Sequence, residues 1–323
     1  MRARVIIPVI GAMLLSGCLK DELPVPARPG GEVVTGQACL GSDYGDQLWY
    51  DIGTNSVVTS NSKMDWDLAF ECGVDGWRVR LNTSRFMRAL ATSSTDITQP
   101  LDTTGFGTQW RVDHNTGSPD STAIDDWRID EPVYALELGF SEIGLPMGVR
   151  QLHVTSVDAS GYTFEIAQMN GSNVQSFTIA KDPSRSYVHF KISSGQPVTI
   201  APPKGSYDLA FTQYTFQFYE PYTAYLVTGA VNAFSGMRVT EVVNADFDAV
   251  NLSDTLAHPF SLDDDAIGYE WKEYDFDLGV YVMHPERVFI VHDAEGLFHK
   301  IHFVDFYNDQ GERGCPTFEV VTL

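Results

Sequence analysis

The sequence contains none of the residue groupings that usually mark an enzyme. There is no Gly-x-Ser-x-Gly nucleophile elbow, no His-Glu-x-x-His zinc helix, no phosphate-binding glycine loop and no Cys-x-x-Cys pair. Acidic residues are numerous, so a pair of carboxylates carries little information by itself. The run Asp263-Asp264-Asp265 lacks the spaced ligands of a calcium loop and predicts a solvated acidic turn. We therefore expect no catalytic residues.

One cysteine stands in a motif with a defined chemistry. Two arginines among the first four residues precede an apolar run over residues 5–15, which is too short to span a bilayer, and Leu15-Ser16-Gly17-Cys18 follows. This pattern is typical of a bacterial lipobox, in which residues 1–17 are removed as a signal peptide and the thiol of Cys18 is acylated. The alternative is a plain secretory signal with a coincidental cysteine.

The residues behind Cys18 predict where the protein is displayed. Asp21 and Glu22 follow Lys20, and acidic residues at this place resemble the export signal of surface lipoproteins in some Gram-negative phyla. We expect a protein held on the outer membrane by its lipid alone and exposed on the cell surface, with the inner leaflet as the alternative. Residues 18–36 are rich in Pro and Gly and predict a flexible tether.

If this cellular location is correct, the three further cysteines lie in an oxidising compartment. Because their number is odd, Cys39, Cys72 and Cys315 cannot all pair within the chain. We predict a Cys39–Cys72 disulfide. Cys39–Cys315 is the alternative, and spacing alone does not choose between them.

The composition is that of a folded, strongly acidic protein. The 323 residues are 43% hydrophobic, which is enough for a sizeable core and for about two domains. Lys and Arg number 21 against 43 Asp and Glu, giving a net charge of −22. Such a surface repels phosphate backbones and anionic lipid, so we expect no nucleic-acid partner.

Beyond residue 40 the hydrophobic pattern has a period of two, which is typical of half-buried strands. Turn signals such as Asn170-Gly171 separate the alternating segments. The best helical candidate, residues 84–92, is short. The pattern therefore predicts an all-β fold with strands that include residues 77–81, 153–157, 163–166, 188–192, 287–291, 300–307 and 317–321.

One phrase occurs twice in the chain. Asp65-Trp66-Asp67-Leu68-Ala69-Phe70 returns as Ser206-Tyr207-Asp208-Leu209-Ala210-Phe211, and a predicted hairpin precedes each copy. We predict two related antiparallel β lobes, residues 37–180 and 181–323. The repeated aspartate should accept hydrogen bonds from backbone donors where a strand enters the core.

These phrases resemble the HmuY family of haem-binding lipoproteins. The C-terminal half matches best, through residues 287–291, Asp293-Ala294-Glu295-Gly296, residues 300–307 and residues 314–319. The resemblance implies an all-β lipoprotein that captures haem without covalent chemistry and passes it to an outer-membrane receptor.

The resemblance also implies two axial iron ligands, His or Met, carried on loops. Comparable loops of this chain offer His258 and the pair Met283-His284, with Met237 as a further option. Haem iron is the only metal that we expect. The other histidines are interpreted as structural: His114, His153, His189, His292, His299 and His302.

Aromatic residues concentrate in residues 207–219 and continue with Tyr222 and Tyr225. They fit the packing of a twisted sheet, with porphyrin stacking as the alternative. The leading functional hypothesis is a haem-binding module, or one for a similar planar apolar ligand. The alternative is a ligand-free surface adaptor that binds a protein partner.

Overall fold

The computed structural model describes residues 30–233 and 235–323. The predicted signal peptide, Cys18 and most of the predicted tether lie outside the described residues. No helix in the described ranges has the length and apolar character needed to cross a bilayer.

The regular secondary structure of the described residues consists almost entirely of antiparallel strands. The first ten are β1 (Val34–Gln37), β2 (Asp46–Asp51), β3 (Ser56–Ser62), β4 (Leu68–Glu71), β5 (Val79–Leu81), β6 (Arg88–Ala91), β7 (Tyr134–Glu137), β8 (Val149–Val157), β9 (Gly161–Ala167) and β10 (Gln175–Ala180). The next ten are β11 (Tyr187–Lys191), β12 (Gln196–Val198), β13 (Leu209–Tyr219), β14 (Tyr222–Val231), β15 (Arg238–Val242), β16 (Lys272–Asp275), β17 (Val280–Met283), β18 (Val288–His292), β19 (Phe298–Tyr307) and β20 (Arg313–Thr322). Three short 3₁₀ helices cover Thr83–Arg85, Pro119–Ser121 and Leu252–Leu256. The all-β prediction is confirmed.

The strands form two sandwiches. In the first, the sheet β1-β20-β19-β18-β15 packs on the sheet β14-β13-β2-β3, with Phe211 stacked on Phe318 at 5.3 Å between ring centroids. In the second, the sheet β10-β9-β8-β7-β6 packs on β12-β11-β4-β5, with Phe164 close to Phe70 and Phe190. The hairpin β16-β17 stands apart as a two-stranded sheet.

The repeated phrase marks a reciprocal exchange of strands. Hairpin β2-β3 belongs to the first half of the chain but pairs with β13, so that Tyr50 faces Leu209. Hairpin β11-β12 belongs to the second half but pairs with β4, so that Phe190 faces Leu68. The predicted limit between residues 180 and 181 therefore separates two repeats in the sequence, while the sheets contain strands from both sides of it.

The repeated aspartate has the predicted structural role in both copies. The Asp67 carboxylate accepts a hydrogen bond from the backbone N–H of Ile192 at 2.7 Å, and Asp208 accepts one from Ile52 at 2.9 Å. The two sites differ in charge, because Asp67 also forms ion pairs with Arg85 and Lys191. For Asp208 there is no ion pair within residues 30–233 and 235–323.

Asp208→Asn is expected to gain stability over the parent protein as pH rises. Burial raises the pKa of Asp208 to about 7; the N–H of Ile52 opposes this shift, and the charges of Asp293 and Asp51 add to it. The unfolded value is about 3.9, so the folded parent holds the proton more tightly and loses up to about 1.4 kcal/mol per pH unit between those values. Asn does not ionise, so the free energy of unfolding of the variant does not fall in this way as pH rises. Urea unfolding at several pH values measures the gap between the two proteins, and a gap independent of pH would contradict the prediction.

The position of β1 corrects the predicted extent of the tether and, through its register, the predicted disulfide. Val34 pairs with Val320 and Gln37 with Thr317, so β1 is an edge strand and the tether ends before residue 34. The next residues stay in this register, and the N–H of Ala38 donates to the Pro316 carbonyl at 3.0 Å.

The pairing register of β1 with β20 determines which cysteines form the disulfide. Cys39 lies opposite Cys315 and is bonded to it, so the predicted Cys39–Cys72 pair is wrong and its alternative is correct. Cys72 is a buried free thiol at the end of β4, in a sheet of the other sandwich.

Candidate functional site

The four predicted iron ligands lie in different environments. His258 follows the third 3₁₀ helix and is partly exposed. The Nδ1 atom of His284 lies 3.3 Å from a carboxylate oxygen of Glu286. Met283 packs against the core of the first sandwich, whereas Met237 is buried inside that core with 1% exposure and cannot reach a ligand without unpacking.

These ligands do not form a preassembled centre. His258 and His284 share no hydrogen bond, ion pair or ring contact within the described ranges. In the same ranges, no group of three His, Cys, Asp or Glu side chains lies close enough to hold a bare metal ion. Any site at these residues would therefore depend on the ligand to bring them together.

A cleft of about 380 Å³ lies elsewhere, between the tip of hairpin β13-β14 and the loop that precedes the second 3₁₀ helix. Its aromatic wall is formed by Phe86 and Trp110 on one side and by Tyr219 and Tyr222 on the other. Tyr219 is 63% exposed and Tyr222 is 74% exposed. The volume falls in the range of small-molecule sites, roughly 300–1,000 Å³.

The aromatic run of residues 207–219 thus changes its environment along β13. Tyr207, Phe211 and Tyr214 are buried in the cores, as expected for a twisted sheet. The hairpin continues beyond the sheet body, so Tyr219 and Tyr222 emerge at its tip and face the loop across the cleft.

His114 lies at the floor of this cleft. Its Nε2 atom is 2.7 Å from the Tyr219 hydroxyl, and its Nδ1 atom is 2.9 Å from the Thr116 hydroxyl. The two hydrogen bonds fix the orientation of the ring and present an imidazole and a phenol side by side. Both groups are known ligands of haem iron.

Two arginines line the cleft, and each of them is paired with a carboxylate. Arg88 pairs with Glu137, and its guanidinium lies 5.7 Å from the Phe86 ring centroid and 5.6 Å from that of Trp110. Arg111 pairs with Asp125. Since guanidinium groups bind carboxylates and stack on aromatic faces, the cleft combines flat apolar walls with groups that can hold an acid.

His114 was not singled out by the sequence. The sequence analysis interprets His114 as structural, because the partner that gives it a possible role, Tyr219, lies 105 residues away. The only local signal is Trp110-Arg111 four and three residues earlier, an aromatic and a cation in a polar loop. The contact depends on how hairpin β13-β14 projects, which periodicity does not report.

An all-β fold with an open aromatic cleft is typical of a protein that binds a planar ligand. The model of the family described as HmuY protein matches residues 43–320, and the chain belongs to the HmuY family. The resemblance seen in the sequence is therefore confirmed. At family level, this is a family of non-enzymatic, haem-binding lipoproteins of the cell envelope.

The solved structures to which this chain is similar include apo PinO from Porphyromonas gingivitis, at 8% identity over 90% of this chain and 98% of that one, with a TM-score of 0.29. The apo HmuY analog of Tannerella forsythia is 12% identical over 91% of this chain and 98% of that one, with a TM-score of 0.25. No curated protein matches the sequence at a significant level.

Proposed function

We propose that this protein is a cell-surface lipoprotein, anchored through Cys18, that binds haem non-covalently and delivers it to an outer-membrane receptor. The observation that carries the proposal is the cleft at the tip of hairpin β13-β14. Aromatic walls there can cover a porphyrin, Arg88 and Arg111 can pair with its propionates, and His114 beside Tyr219 can reach the iron.

The ligands predicted from the sequence remain competing candidates for the iron. His258 and His284 are partly exposed on loops and are free of the core. His284 has two acidic neighbours, Glu273 at 4.0 Å and Glu286 at 3.3 Å, which would repel haem propionates. The cleft offers two guanidinium groups, each paired with one carboxylate, and the His284 loop offers only acidic neighbours, so we favour His114.

Titration of the full protein in detergent with haemin tests this function. We expect a saturable Soret band with one haem per chain. His114→Ala should weaken binding by about tenfold or more, which corresponds to at least about 1.4 kcal/mol. His258→Ala and His284→Ala should leave the band unchanged.

Tyr225→Ala is the matched control, because Tyr225 is an exposed tyrosine of the same hairpin that does not line the cleft. If His258→Ala or His284→Ala weakens the band and His114→Ala does not, the cleft is the wrong site. If the parent protein gives no band, haem binding is refuted and the ligand-free adaptor is favoured.

A further inference from the structure

A second, partly open cavity of about 100 Å³ lies between the two sandwiches, apart from the aromatic cleft. Strands β2, β4, β11 and β13 line it, so it forms where the exchanged hairpins meet. The cavity approaches the cleft at His114, which lines both spaces. The proposed haem site does not account for it.

The aromatic walls of this cavity are held in place by hydrogen bonds. The indole N–H of Trp49 donates to Asn61 at 2.8 Å, and that of Trp66 donates to Gln47 at 2.8 Å. The Tyr207 hydroxyl donates to a backbone carbonyl at 3.0 Å. These rings therefore form a rigid apolar surface that exists without a ligand.

One polar side chain in the lining, His189, has no hydrogen-bond partner among the described residues. The ring of His189 is 7% exposed and lies edge-on to Trp66 at 4.7 Å, but its nitrogens make no hydrogen bond with residues 30–233 or 235–323. By contrast, Thr212 and Thr215 in the same lining donate to backbone carbonyls. The nitrogens of His189 are therefore available to hydrogen-bond an occupant of the cavity.

The charges of the lining favour a neutral occupant. Arg80 is buried beside Asp113 and Asp264, which both interact with it electrostatically. Burial lowers the pKa of His189 to about 3, with the charge of Arg185 adding to the effect, so its imidazole is neutral and offers one donor and one acceptor. No positive charge is left uncompensated to hold an anion.

We propose that this cavity binds a small, neutral, one-ring aromatic molecule that carries a hydroxyl or a ring N–H. The indole rings contact the faces of this molecule, and a nitrogen of His189 accepts a hydrogen bond from its hydroxyl or ring N–H. Size excludes a porphyrin, because the cavity is smaller than an engineered cavity of about 150 Å³ that holds one benzene ring, and only its open side leaves room for a ring substituent. A surface pocket of about 220 Å³ shares Tyr187 and His189 with the cavity and provides the route of entry.

Phenol is the probe that tests the site. Calorimetry and tryptophan fluorescence of the full protein should give saturable binding of phenol. Cyclohexanol, which keeps the hydroxyl but lacks the aromatic ring, and benzene, which lacks the hydroxyl, should each bind at least tenfold more weakly.

His189→Phe keeps a ring beside Trp66 and removes both nitrogens. It should weaken phenol binding at least tenfold and leave benzene binding unchanged. His153→Phe, on a strand of the second sandwich outside the cavity, is the matched control and should bind phenol like the parent. Thermal unfolding confirms that each variant is folded.

Three results would overturn the inference. If a folded parent protein gives no saturable signal with phenol, the cavity holds water only. If phenol and cyclohexanol bind equally, or if His189→Phe binds phenol as the parent does, the ligand class is wrong. Haemin binding is measured on the same samples, so the two sites are judged separately.

Discussion

Replacing Arg85 by Leu is expected to destabilise the protein by about 3–5 kcal/mol, because it leaves the carboxylate of Asp67 buried without its main counter-charge. The Arg85 side chain is fully buried and that of Asp67 is 4% exposed. Arg85 also donates to the Leu138 carbonyl at 2.7 Å and to the Trp66 carbonyl at 3.2 Å. The substitution thus removes the ion pair and also leaves two backbone carbonyls of the second sandwich without their hydrogen-bond donor.

Urea unfolding followed by circular dichroism measures this effect. Arg88→Leu is the matched control, since the Arg88–Glu137 pair is about one-third exposed and should cost no more than about 1 kcal/mol. The double variant Arg85→Leu/Asp67→Asn should recover part of the loss, because no unpaired charge then stays buried. An Arg85→Leu protein as stable as Arg88→Leu would show that Lys191 alone neutralises Asp67.

Loss of the Cys39–Cys315 disulfide should cost about 2–5 kcal/mol. The bond joins residues 276 positions apart, so it removes much of the freedom of the unfolded chain. It also fixes β1 against β20 at the edge of the first sandwich. We expect Cys39→Ser/Cys315→Ser to unfold at lower urea concentration, and reductant to shift the parent protein to the same midpoint.

Cys72→Ala separates this effect from the loss of any cysteine. Cys72 is buried and unpaired, so its removal should cost about 1 kcal/mol and leave the response to reductant intact. Peptide mapping of the oxidised protein identifies the bonded pair directly. A Cys39–Cys72 peptide, or a reductant effect that survives in the double serine variant, would contradict the assignment.

Periodicity and the repeated phrase predicted the parts of the fold that depend on local pattern. Alternation identified strands such as β8, β9 and β11, and the role of Asp67 and Asp208 followed from an acidic group placed before a buried strand. Residues 84–92 were expected to be helical. There the 3₁₀ helix stops after Arg85, Phe86 adopts a positive φ of 61°, and β6 begins at Arg88. Burial of the Arg85 guanidinium overrides the helical preference of this segment.

The remaining features arise from contacts between residues distant in the sequence. The disulfide depends on the pairing of β1 with β20, across almost the whole chain. The exchange of hairpins joins residues near 50 to residues near 209, and the His114–Tyr219 contact spans 105 positions. The sequence contains both residues of each pair but does not give the distance between them. These contacts could therefore be proposed only once the topology was known.

The reciprocal exchange of hairpins also constrains how the protein is made. Hairpin β2-β3 ends at Ser62, and its partner strand β13 begins at Leu209, so this edge has no native neighbour while the intervening segment is synthesised. At roughly 5–20 residues per second, that interval lasts about 7 to 30 s. An unpaired strand edge invites pairing with other chains, so a holdase chaperone that shields β-rich chains would be of most use to this protein in that interval.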